Sequence, residues 1–412
     1  MTDSQTLYAT LLGITEPWGV ELVEMKQQAG EVHVTVALPA HTRWVCPECL
    51  VAAPIHDHQE RTWRHLDTCQ FKALVHARVP RLNCPTHGIK QLRVPWGEPG
   101  SQFTALFEAL AIDWLRQASV SAVAKQMRIT WDEAAGIQER AVGRGLARRT
   151  LEAPRYVGVD ETSFQKRHEY VTVVSDLEGA RVLHVADDRT RESLDAFWEQ
   201  LSAEQRAGVR GVAMDMWDPY VRSTVQHVPG ATIVFDKFHV AEHLTDAVDR
   251  VRRSEHRARM AAGDPILKGT KYEWLRNPRG RNWSEARAFN LLRSIATQVG
   301  RAWALNQAAM ALWDLHSPAA ADRNFKAWYH WARCSRLEPM RRVALLLKRR
   351  WANIRTYFQH RITNAGAESI NAKIQKVKFR AHGFRNRERF RNAIYFHCGG
   401  LDLYPAGVRM GS

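Results

Sequence analysis

Several things are scarce in this chain, and each scarcity removes a class of protein. No apolar run reaches the roughly 18 residues needed to span a bilayer, so no transmembrane helix and no membrane partner are expected. The opening residues, MTDSQTLYATLLGI, hold neither a basic leader region nor a small-residue cleavage site. A soluble, intracellular protein is the expectation. Cysteine is rare, 6 in 412 residues, too few for a disulfide scaffold. In a reducing compartment, clustered cysteines more often bind metal. Acidic side chains are outnumbered, 43 Asp and Glu against 59 Lys and Arg, giving a formal charge of +16. That imbalance favours a polyanionic partner, and nucleic acid is the commonest. Short-period repeats and low-complexity tracts are absent. What is present is ordinary globular material: 45% hydrophobic residues, enough for a sizeable core. The length suggests two to four domains.

The pattern of apolar residues changes several times along the chain. Residues 1–40 contain the alternating run GEVHVTVAL and read as an N-terminal β segment. Residues 41–100 hold four of the cysteines and β-rich runs such as FKALVHARV, a small metal-stapled β unit. Residues 101–150 switch to helical spacing. Residues 151–240 begin with three Val-rich runs, YVGVDETSF, YVTVVSDL and RVLHVADD, expected as an antiparallel meander. A helix, a strand (RGVAMDM), a helix and a strand (ATIVFDKF) follow. That succession is the order of a ribonuclease-H-like α/β sheet. Residues 241–362 read as a large all-helical insertion, whose tryptophans 274, 283, 303, 313, 328, 331 and 351 are expected to form its own core. Residues 363–412 complete the α/β core with a helix and a basic C-terminal segment.

Two knuckles stand out. Cys46-Pro-Glu-Cys49 and Cys84-Pro-Thr-His87 each place two ligands on one tight turn, a spacing suited to tetrahedral Zn²⁺. The 34 residues between them must form a hairpin that returns the second knuckle to the first. Cys69, His56, His58 and His65 are possible substitute ligands. A closed four-ligand site serves folding rather than catalysis. Further on, SVSAVAKQMRITWDEAAGIQERAV has the form of a helix-turn-helix. Thr130 is a good N-cap for its second helix, and Glu133 completes a capping box. Arg128 sits in the turn where a positive φ is usual and Gly is favoured. Such a second helix can enter the major groove, with Thr130, Trp131 and Arg140 as DNA-contact candidates.

Three carboxylates carry the proposed chemistry. Asp160 ends one Val-rich strand and Asp215 another, and in the expected sheet these strands are neighbours. Glu368 opens a helix in TNAGAESINAKIQ. Clustered anions are costly unless cations compensate them, and two Mg²⁺ ions (or Mn²⁺) would do so. Ile370, Ile374 and Val377 form an apolar face roughly opposite Glu368, so this helix must dock by another side. Lys373, Lys376 and Arg380 share a neighbouring face and, with Asn371, are further DNA-contact candidates. Residues 341–391 carry fifteen Lys or Arg and two acidic residues, which suits phosphate contact. Asp236, which also ends a strand, and His239 are secondary candidates.

The ordered motifs CPEC, CPTH, SVSAVAKQM, VGVDETSF, VAMDMWDPY, IVFDKFHV and TNAGAESINAKIQ resemble the ISL-three family of bacterial insertion-sequence transposases. The resemblance runs from about residue 40 to 400. It implies a DDE transposase with a ribonuclease-H-like core, interrupted by a helical insertion between the second Asp and the Glu. Carried over by motif, Asp160, Asp215 and Glu368 become the catalytic triad, using two Mg²⁺, and the family's Asp-x-Phe-His motif falls on Asp236, Phe238 and His239. The implied partner is double-stranded DNA, as terminal inverted repeats and as target, with the chain acting as a homodimer or higher oligomer in the cytoplasm, at the nucleoid. Two departures are visible: Arg128 in place of the turn Gly, and Ala367 and Ser369 flanking Glu368 where more glycine is expected. The alternatives are a DNA-binding regulator and a ribonuclease-H-like nuclease without strand transfer.

Overall fold

The computed structural model describes residues 3–39, 44–165, 169–235, 237–276, 280–360 and 365–408. They divide into two compact units, Met1–Thr150 with Val377–Ser412, and Leu151–Lys376. No helix is long and apolar enough to cross a membrane among the described residues.

The first unit starts with α1 (Asp3–Leu11), followed by β1 (Gly19–Lys26), β2 (Glu31–Ala37), β3 (Ile55–Thr68), β4 (Phe71–Cys84) and β5 (Gly88–Gln91). The strands form one sheet in the order β1-β2-β4-β3, with β5 on β4. β2 buries every second residue, Val32, Val34 and Val36, as period-two alternation demands. It runs parallel to β4, pairing Val34 with Val75, so the sheet crosses the boundary drawn at residue 40. Trp18, Trp63 and Trp96 meet edge to face in the core beneath.

Three helices follow: α2 (Ala105–Gln117), α3 (Val120–Met127) and α4 (Trp131–Arg148). Thr104 caps α2, Ser119 caps α3, and Thr130 with Glu133 forms the capping box of α4. Arg128 adopts φ 56° between α3 and α4, the left-handed conformation that the helix-turn-helix reading assigns to this turn. Its guanidinium donates to the Gln70 carbonyl at 3.1 Å and pairs with Asp67, which holds the turn without a glycine. Behind α4, Glu108 is 1% exposed and is neutralised by Arg140 and Arg144.

The second unit opens with β6 (Tyr156–Gln165), β7 (Glu169–Asp176) and β8 (Arg181–Ala186), an antiparallel meander as expected. Next come α5 (Arg191–Trp198), α6 (Ala203–Gly208), β9 (Gly211–Met214), α7 (Asp218–His227) and β10 (Thr232–Phe235). The sheet order is β10-β9-β6-β7-β8, with β9 and β10 parallel to β6. β9 is buried along its whole length, as a central parallel strand should be.

Helices then dominate: α8 (Lys237–Ala261), α9 (Lys271–Leu275), α10 (Trp283–Ile295), α11 (Thr297–Met310), α12 (Pro318–Cys334), α13 (Glu338–Arg349), α14 (Trp351–Arg355) and α15 (Tyr357–His360). Their tryptophans do not make a separate core. Trp274, Trp313 and Trp328 belong to one apolar cluster that also holds Val157, Val212 and Phe235 of the sheet. The physical reason is direct packing: α14 lies against β10, and the Arg350 guanidinium sits 5.8 Å from the Phe235 ring. Trp283 and Trp331 stay exposed, at 77% and 45%. The chain ends with α16 (Ala365–Arg380) and α17 (Arg387–Cys398).

Candidate active site and metal-binding knuckles

β6 and β9 pair in register, Tyr156 with Gly211, Val157 with Val212 and Gly158 with Ala213. Carried two residues further, the same register sets Asp160 beside Asp215, just past the end of β9. In parallel strands, residues in register point to the same face. Each carboxylate accepts the next backbone N–H, from Glu161 at 2.8 Å and from Met216 at 2.5 Å.

Helix α16 approaches this face. Asn371 Nδ2 donates to Asp160 Oδ2 at 2.7 Å, and Gln375 Nε2 donates to Thr162 Oγ1 at 2.9 Å. At about 100° per residue, Glu368 falls within roughly 60° of both, so it shares their helix face. Its first turn runs close to the β7–β8 turn: a Cβ on Gly366 would lie 3.2 Å from the Leu177 carbonyl oxygen. Ile370 and Ile374 are buried on the other side, so the helix is covered on two faces. Glu368 itself is half-buried. Among the described residues, the three carboxylates do not draw their oxygens within 4.8 Å of one another, whereas the Cys/His set described below does so.

Four residues that the sequence reading passed over complete the surroundings. Arg189 Nη2 donates to Asp215 Oδ2 at 2.9 Å, and its Nε lies 2.7 Å from Glu161 Oε1. The Trp217 ring covers the guanidinium, 4.5 Å from Cζ. Burial pushes the Glu161 carboxyl above its ordinary value, opposed by Arg189. Tyr220, raised likewise by burial, bonds Thr172 Oγ1 at 2.7 Å. The one signal available was position: Glu161 follows Asp160 directly, and Arg189 precedes the α5 cap Thr190. His239 Nδ1 stands 3.8 Å from Asp215 Oδ1. Asp236 lies outside the described residues.

The knuckles meet. Cys49 Sγ is 3.7 Å from Cys84 Sγ, and His87 Nδ1 is 3.6 Å from Cys84 Sγ and 3.9 Å from Cys46 Sγ. Ligands at about 2.0–2.3 Å from one tetrahedral Zn²⁺ stand about 3.3–3.8 Å apart, so the set fits that ion. Local structure produces the convergence. Leu50 at φ 59° turns the chain after Cys49, and Cys84 pairs with Gly88 where β4 folds into β5. Backbone N–H groups of His87 and Thr86 hold the Cys84 thiol below its ordinary value. The substitutes stand elsewhere. Cys69 is an exposed turn residue, His56 and His58 lie on β3, and His65 is buried against Thr104.

The DNA-contact candidates divide. Trp131 is exposed at the start of α4, with Arg389 of α17 stacked on its ring at 4.4 Å. Thr130 spends its hydroxyl within the capping box. Arg140 is bound to Glu108 by Nε at 2.9 Å and Nη2 at 2.6 Å. Lys373, Lys376 and Arg380 are exposed, while Asn371 is bonded to Asp160.

Comparison with known proteins agrees with this organisation. A family profile described as transposase, of the DDE type of ISL3, matches residues 157–394. A profile for the zinc-finger of transposase IS204/IS1001/IS1096/IS1165 matches residues 42–87, and one for the helix-turn-helix domain of transposase family ISL3 matches residues 92–142. The chain is 27% identical over 389 residues to the transposase for insertion sequence element IS1001 of Bordetella parapertussis, covering 92% of this chain and 95% of that protein. It is 28% identical over 414 residues to the transposase for insertion sequence element IS1557 of Mycobacterium tuberculosis, covering 92% of each. The transposase profile spans more than half of the chain, and the two others precede it in the order of the motifs; the chain belongs to the ISL3 family of DDE transposases.

Proposed function

We propose that this transposase binds the terminal inverted repeats of its element, hydrolyses a phosphodiester at each end and joins the freed 3′-hydroxyls to target DNA. The observation that carries the reading is the parallel pairing of β6 with β9, the strands from which Asp160 and Asp215 come, together with the bond from Asn371 of the Glu368-bearing helix to Asp160. These three carboxylates are the proposed triad. The sheet order β8-β7-β6-β9-β10 supports a ribonuclease-H-like core. In that reading, residues 151–240 build the core with the Glu368-bearing start of residues 363–412, whose part from Val377 onward groups with the first unit instead, and 241–362 are a helical insertion between the second Asp and the Glu. The N-terminal β segment and the zinc unit, residues 1–40 and 41–100, serve together as one sheet that carries the knuckles, and residues 101–150 serve as the helix-turn-helix.

The donor set is oxygen only, which fits Mg²⁺, or Mn²⁺ in its place. Bound there, two such ions would assist both the attacking and the leaving oxygen. The chain's own contribution is orientation: Asn371 fixes Asp160, and Arg189 fixes Asp215. Cys46, Cys49, Cys84 and His87 would hold structural Zn²⁺, with no open position for chemistry. End recognition falls to the zinc unit and to α4, with Trp131 at its tip. Lys373, Lys376 and Arg380 would meet phosphates, and counterion release makes that binding salt-sensitive. Two ends cut together call for a homodimer or higher oligomer.

The experiment supplies pre-cut element ends and a target plasmid with Mg²⁺. Joined product is expected. A nuclease that cuts without strand transfer leaves the ends unjoined, and a DNA-binding regulator retains the ends without cutting intact ones. Either result overturns the reading.

A further inference from the structure

Arg189 is held on three sides at the mouth of the carboxylate site. Nη2 is committed to Asp215 Oδ2, Nε faces Glu161 Oε1, and Trp217 covers one face of the plane. A guanidinium has five N–H donors. Among the described residues, no protein acceptor engages the Nη1 edge, and the side chain remains 33% exposed. The group is therefore oriented yet open. The largely covered Glu161 carboxylate thus keeps a cation beside Asp215.

We infer that Arg189 is a further catalytic residue of this transposase, whose open guanidinium edge binds a non-bridging oxygen of the scissile phosphate. The inference rests on the reading of Asp160 and Asp215 as catalytic. A phosphate presented to Asp215 lies within reach of the N–H groups beside the one already bonded to that carboxylate. Charge builds on the non-bridging oxygens as the phosphoryl group is transferred, and a fixed planar cation stabilises it without reorganising. Glu161 and Trp217 supply the fixing. No bond to Arg189 forms or breaks; the attacking oxygen bonds to phosphorus, and the departing 3′-oxygen leaves with its electron pair.

The test combines two changes, one in the protein and one in the DNA. End duplexes carry either the natural phosphate or a neutral methylphosphonate at the scissile position, and single-turnover cleavage is measured for the wild type, Arg189→Ala and Arg189→Lys. Mn²⁺ binding to each protein is followed by calorimetry. Arg189→Ala is expected to slow cleavage of natural DNA by about 10²–10³-fold, the usual cost of one such donor. Arg189→Lys should recover part of that loss. Mn²⁺ affinity should fall by no more than about 10–100-fold, the usual cost of losing a group that orients one ligand. The methylphosphonate penalty should be much smaller in Arg189→Ala than in the wild type, because the charge it removes has lost its partner. Equal penalties in both proteins, or Mn²⁺ binding that disappears with Arg189, would overturn the inference and make Arg189 a support for Asp215 only. Asp215→Asn serves as the control. If it cleaves and binds Mn²⁺ normally, the carboxylate reading itself has failed, a result distinct from failure at Arg189.

Discussion

Asn371 Nδ2 donates to Asp160 Oδ2 across 2.7 Å, joining α16 to the middle of β6. One hydrogen bond thus ties two segments 211 residues apart in sequence. A bond to a charged acceptor contributes about 1.5–3 kcal/mol. Asn371→Ala is expected to slow end cleavage about tenfold or more, since 1.4 kcal/mol is one decade. Asn371→Asp should do worse, because it sets a second anion against Asp160. Single-turnover cleavage measures both, with end binding by gel shift expected to hold.

Removing zinc should disable the DNA-binding half rather than the chemistry. A chelator that captures Zn²⁺ is expected to release one ion per chain and abolish end binding. Zn²⁺ should restore binding and Mg²⁺ should not, because thiolates and an imidazole suit the former. Metal release followed with a colorimetric indicator, alongside gel shift, checks this.

Arg128 tests the turn of the helix-turn-helix. Its φ of 56° costs any residue with a Cβ roughly 1–2 kcal/mol. Arg128→Gly removes that strain but loses the bonds to Asp67 and the Gln70 carbonyl. Arg128→Ala loses the bonds and keeps the strain. Thermal denaturation should therefore rank Arg128→Gly above Arg128→Ala, by about 1 kcal/mol.

Much of the local structure was legible in the sequence, because it is written in neighbouring residues. The Thr130–Glu133 capping box, the left-handed Arg128 and the two knuckles are short-range patterns, and the meander shows in three Val-rich runs. Long-range structure was not legible. The parallel pairing of β2 with β4 unites segments that composition separates. Arg140 looked available for DNA, yet it reaches back 32 residues to a buried carboxylate at Glu108. The helical tryptophans looked self-sufficient, but they share a core with the sheet. Arg189 and Glu161 escaped notice for the same reason: ion pairs between elements leave no periodic trace. The angular conflict between Glu368 and its apolar face is real in the structure, and burial on two sides accommodates it.

Acid should weaken the first unit. Burial, with Arg64 adding to it, pushes His65 down to about 4 from an ordinary 6.5. His65 Nδ1 meets the hydroxyl of Thr104, 2.9 Å away, an arrangement that suits a neutral ring. Between those two values the unfolded chain binds the proton and the folded one does not, so stability falls as pH drops from 6.5 towards 4. The loss from this group amounts to about 3 kcal/mol, at 1.36 kcal/mol per pKa unit. In His65→Gln, denaturant midpoints measured across that window should show a shallower acid slope by one proton.

Glu368→Gln gives the most direct test of the three-carboxylate site, because Glu368 is the member that joins from a separate helix. Single-turnover cleavage of an element end in Mg²⁺ is the measurement, with end binding checked on the same protein. A fall of at least about 10³-fold with unchanged end binding is expected, the scale on which groups acting as a catalytic unit are lost. Cleavage at the wild-type rate would contradict the account and place the metal-binding chemistry elsewhere in the chain.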